Sequence, residues 1–108
     1  MDSTKELIVR DFEIETSREE WTEEEFFDFL ADHIAFLIEK RLEYLLNLMY
    51  RLDVNEAKVH HALSPYAEEP ANIGLTRLIL ERQKQRVATR EFYKQQRASE
   101  DLDEDLAL

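Results

Sequence analysis

Histidines are the first residues in this chain to question for chemistry. His60 and His61 are adjacent, Glu56 lies four residues before His60, and His33 stands apart. A Glu and a His at i, i+4 share a helix face and can hold one ion, but adjacent histidines diverge by about 100° and cannot both point at it. The repeated Glu-x-x-His pairs of a di-iron bundle and the His-Glu-x-x-His of a zinc protease are both missing, and there is no cysteine to supply a thiolate. No metal is expected, and His60 and His61 read as half-exposed groups near Leu63 and Tyr66.

The remaining chemistry is equally sparse. Glu25/Asp28 and Glu39/Glu43 have the spacing of acid/base couples, but nothing around them suggests the desolvation that would move a carboxyl pKa. Ser3, Ser17, Ser64 and Ser99 fall in termini, caps or linkers without a nucleophile elbow. A single glycine, Gly74, cannot build a phosphate-cradling loop. The expectation is a non-enzymatic protein without a cofactor.

Three features point instead to recognition. Arg41 falls near the middle of an apolar arc, where a guanidinium must find acceptors; it is read as a buried ion pair with Glu81 or Glu91, or as an anion contact. Phe29 and Phe36 share one stripe, and Leu46 and Tyr50 another, all among Asp28, Asp32, Glu39 and Glu43, which reads as a docking strip for another protein. Arg82, Arg86, Arg90 and Lys94 make a basic face in a late segment that also contains Phe92 and Tyr93. Aromatics among bases permit contact with nucleic acid. The net charge of −11 opposes it, so nucleic acid is not the expected partner.

The elements that must position these residues are helices. One Gly and two Pro in 108 residues leave little turn chemistry for sheets, whereas Leu, Glu, Arg, Lys, Gln and Ala are abundant. The alternation Asp11-Phe12-Glu13-Ile14-Glu15 makes residues 1–16 an expected extended arm. Capping boxes at Ser17-x-x-Glu20 and Thr22-x-x-Glu25 open a long helix over about 17–52. Asp53 can cap a short helix over 55–63, Ser64-Pro65 ends it, and a third helix covers 71–97. Residues 99–108, five acids with no base, form a tail expected to be disordered. Residues 17–98 are then a single helical domain.

Charge and hydropathy suggest how the helices associate. Residues 1–33 carry 12 acids and 3 bases, whereas residues 77–98 carry 2 acids and 7 bases. An antiparallel arrangement of the long helices sets these segments side by side. The apolar arc of the first helix, from Phe26 to Leu52, spans roughly 180° on a helical wheel, more than the third helix can cover. The expected fold is all-α: two long helices joined by a short one, an antiparallel hairpin that dimerises into a four-helix bundle. Cover by the short helix and the arm is the alternative. No secretory signal or membrane-length apolar run is visible and cysteine is absent, so the expected compartment is the cytoplasm and the expected partners are a second copy and another protein.

Overall fold

A computed structural model describes residues 3–14, 16 and 20–106, and among these the chain is all-helical. Five helices follow in order: α1 (Ser3–Asp11), α2 (Glu23–Lys40), α3 (Leu42–Arg51), α4 (Glu56–Leu63) and α5 (Ala71–Leu106). No helix among the described residues is long and apolar enough to cross a membrane.

Local chemistry sets the helix ends. Thr22 Oγ1 accepts from the Glu25 N–H at 3.1 Å and Glu25 Oε1 accepts from the Thr22 N–H at 3.3 Å, closing the capping box that opens α2. Ser17, the other candidate start, lies outside the described residues. Trp21 packs edge-on against Phe26 with ring centroids 5.7 Å apart, the hydrophobic staple that fixes how the chain enters α2. α4 is capped by Asn55, whose Oδ1 accepts from the Lys58 N–H at 3.0 Å, rather than by Asp53.

Asp53 has a different task, and Glu13 shares it. Both take left-handed φ, 61° and 52°. In each case the following residue reaches back five positions: Ile14 N–H to Val9 O at 3.0 Å, and Val54 N–H to Met49 O at 3.1 Å. Glu13 N–H also donates to Arg10 O, and Asp53 N–H to Tyr50 O. These are Schellman caps closed without glycine. They reverse the chain after α1 and α3 and turn Ile14 and Val54 into the core.

The N-terminal segment is not an extended arm. Thr4, Leu7, Ile8 and Phe12 are buried at helical spacing, a period that outweighs the short alternation of residues 11–15. The long first helix is likewise interrupted. Phe26, Leu30, Ile34 and Leu37 are buried on α2, and Leu45, Leu48 and Met49 on α3, in a stripe whose spacing runs through position 41. A straight helix would drive the Arg41 guanidinium into that stripe. Arg41 instead adopts φ −145° and ψ 50°, and the kink leaves it exposed. The Arg41 N–H still donates to Leu37 O and the Leu45 N–H to Arg41 O, so the helical bonding of α2 runs up to the bend and that of α3 starts from it.

The apolar surplus that suggested a second chain is largely met within one. Ile8, Phe12 and Ile14 of the N-terminal segment and Val59 and Ala62 of α4 join a single core with α2, α3, Leu75 and Ile79. Each large side chain removed from water is worth about 1.5–3 kcal/mol, an upper figure because unfolded chains already bury part of it.

α5 runs back along α2. Asn72 Nδ2 donates to Ala31 O at 3.2 Å, the Arg77 guanidinium lies 5.3 Å from the Phe27 ring centre, and Leu80 and Lys84 share a recess with Glu23 and Phe26. These contacts occur in opposite order along the two helices. Gly74 lies where α5 meets α4: a Cβ there would stand 3.4 Å from the Ala62 Cβ, in ordinary contact. Farther along, fully buried Gln83 donates to Asp11 Oδ2 at 3.0 Å and accepts from Arg86, tying α5 to the end of α1. Past Val87 the helical body ends but the helix does not: the backbone stays helical to Leu106, through most of the tail expected to be disordered. The radius of gyration is 17.3 Å, against about 13 Å for a compact chain of this length. The projecting helix accounts for the excess.

Candidate interaction surface

The residues singled out for recognition separate into those the fold absorbs and those it presents. Phe29 is absorbed: its ring lies 4.7 Å from that of Trp21 and packs against the core. It is withdrawn from the exposed strip because the single tryptophan folds over it. Phe36, Leu46 and Tyr50 remain exposed, Tyr50 by 83%. Phe36 stacks on His33, one turn earlier on α2, with centroids 6.5 Å apart. Partial burial at that point lowers the His33 pKa below its usual value.

Arg41 is neither buried nor paired with Glu81 or Glu91. Its guanidinium lies 4.2 Å from the centre of the Tyr44 ring, a cation–π contact at the surface. The kink that spares the core the charge leaves the guanidinium at the surface, outside any enclosed groove.

The basic face divides in two. Arg82 Nε donates to Leu52 O at 3.1 Å, with Asp53 3.6 Å away, so it locks α5 to the end of α3. Arg86 is held by Gln83 at 3.1 Å and lies 3.8 Å from Asp11. Both are structural, lying beside Asp53 and Asp11 respectively; Lys84 lines a recess with Glu23. Arg90 and Lys94, with Arg97, lie beyond the body, where every residue from Ala88 to Ala98 is exposed. Phe92 and Tyr93 are 62% and 56% exposed, with edge-to-face rings 5.7 Å apart.

The face on which Tyr93 lies is the core face of α5 continued. Leu75, Ile79 and Gln83 are buried, and the same helical spacing leads through Arg86 to Arg90, Tyr93 and Arg97. Apolar packing gives way to positive charge and one aromatic where the body runs out.

Two grooves complete the surface. One of about 190 Å³ separates α3 from α4; Leu46, Met49, Tyr50, Val54 and Val59 line it, with exposed Glu56 and His60 at its edge. Leu46 and Tyr50, read from the sequence only as a stripe, form one wall of this groove. α4 forms the other, which the spacing within one helix cannot reveal. A wider groove of about 740 Å³ lies between α4, the linker and α5. Its charges largely neutralise one another: Arg77 meets Glu69 at 3.0 Å, and Lys58 and His61 share the space with Glu68 and Glu81. Among the described residues no group of three or more His, Asp or Glu converges as a metal site would require. No protein-family model, curated protein or solved structure matches the chain.

Proposed function

We propose that this chain is a non-catalytic, homodimeric protein-interaction module whose working element is the projecting half of α5. The observation that supports this is the exposure of every residue from Ala88 to Ala98 on a helix that leaves its own body behind. A short helix without tertiary packing is marginal in water, because helix stability in proteins comes mostly from an amphipathic face packed on something else. Phe92 and Tyr93 displayed there, with Arg90 and Arg97, have the aromatic-plus-arginine composition enriched at protein interfaces. A second copy offers the acidic surface that such a helix fits, and the dimer would leave Phe36 and neighbouring Asp32 and Glu39 to engage a further protein.

Light scattering coupled to size exclusion, run over a concentration series, tests the reading. A mass of two chains at micromolar concentration is the expected result, and a mass of one chain up to about 100 μM would overturn it. A nucleic-acid-linked regulator is the second reading, supported by exposed Arg90, Lys94 and Arg97. It requires oligonucleotide binding whose affinity falls steeply with salt.

A further inference from the structure

Resting on the dimeric reading above, we infer that Tyr93 of one copy seats in the α3–α4 groove of a second, and that the exchange is reciprocal. The groove is apolar within, has about the volume of one aromatic side chain, and has an exposed acid, Glu56, at its edge. Exposed Glu43 stands on the same stripe of α3 as Leu46 and Tyr50, three and seven residues before them. On the projecting helix, Tyr93 has Arg90 three residues before it and Arg97 four after, the neighbours it has on one helix face. An aromatic between two arginines thus complements an apolar slot flanked by two glutamates.

The occupant cannot come from the same chain. Arg82 pins α5 to Leu52 and Asp53 at the end of α3. Tyr93 lies eleven residues farther on, about 16 Å along a helix that points away from the body. A second copy removes this obstacle, and two-fold symmetry then fills both grooves with the same contacts. Tyrosine suits the slot because its ring can be buried while its hydroxyl stays at the edge, where His60 offers a hydrogen-bonding partner.

Charge exchange between separately purified chains tests the pairing. The double variants E43R/E56R and R90E/R97E should each lose self-association by tenfold or more, while the circular dichroism of each matches that of the wild-type chain diluted until it is monomeric. Mixed one to one, they should recover a two-chain mass, since acidic helix then meets basic groove and basic helix meets acidic groove. Y93A should weaken the wild-type dimer by a similar factor. A wild-type dimer that survives E43R/E56R, or a mixture that fails to recover, overturns this interface while leaving the dimer itself standing. If F92A dissociates the dimer and Y93A does not, the two α5 helices pair with each other and the groove assignment is wrong. A wild-type chain that is monomeric throughout would instead remove the dimeric reading on which the inference rests.

Discussion

At the scale of single residues, the fold turns on side chains whose charge or backbone conformation conflicts with a simple helical pattern. Arg41 occupies an apolar register, and the helix bends to release it. Glu13 accepts left-handed φ so that Ile14 can enter the core. For a residue with a Cβ that conformation costs about 1–2 kcal/mol, and only part of this returns as extra unfolded-state freedom when glycine replaces it. Glu13→Gly should therefore raise stability by about 0.5–1 kcal/mol in urea denaturation. His33 gives the pH counterpart. Partial burial lowers its pKa in the folded chain. Below the unfolded value of about 6.5 the unfolded chain takes up the proton more readily, so stability present above that pH is lost as pH falls toward the folded pKa. The urea midpoint of the wild type should fall between pH 7 and pH 5 more than that of His33→Gln, and equal slopes would show that burial of this imidazole is energetically silent.

At the scale of elements, what was legible in the sequence was whatever local chemistry dictates. The near-absence of glycine and proline implied an all-helical chain, and the Thr22 box marks the start of α2 because both of its hydrogen bonds are made within four residues. The errors arose where a distant element decided the outcome. Phe12 and Ile14 suggested a strand because five residues alternate, yet the helix of Thr4, Leu7 and Ile8 before them is stabilised by the α2 and α5 surface it covers, which no local window reveals. Trp21, immediately before the cap and five residues before Phe26, was a readable staple signal, and it would have withdrawn Phe29 from the exposed set. Gln83 was not legible at all: a buried amide is tolerable only because Asp11 and Arg86 satisfy it, and Asp11 is 72 residues away in sequence. Of the candidate surface, the exposed aromatics and the far bases were visible as types and spacings. The groove that gives them a purpose belongs to two helices at once.

At the scale of the whole molecule, a body of packed helices carries one long helix past its own boundary, extending the particle to 62 Å. This geometry divides local stability along α5. Leu75, Thr76, Ile79 and Gln83 are fully buried, so their backbone amides open only when much of the body opens with them. From Ala88 to Ala98 nothing comparable holds the helix in a lone chain, and fraying there costs little because each backbone bond faces water. Amide hydrogen exchange should therefore show a step near Val87 in dilute protein, with strong protection before it and rapid exchange after it. The step should depend on concentration. When association buries the face of Arg90, Tyr93 and Arg97, opening of residues 88–98 must also break the interface, and protection should rise with the logarithm of protein concentration while residues 75–83 change far less. High salt should return exchange toward the dilute profile, since the proposed contacts between arginine and glutamate are screened once the Debye length falls to about 3 Å near 1 M. Protection across residues 88–98 that is already complete and independent of concentration would mean that the helix is stable without a partner, and the projecting half would then have to be understood as a rigid spacer rather than as the surface through which two chains meet.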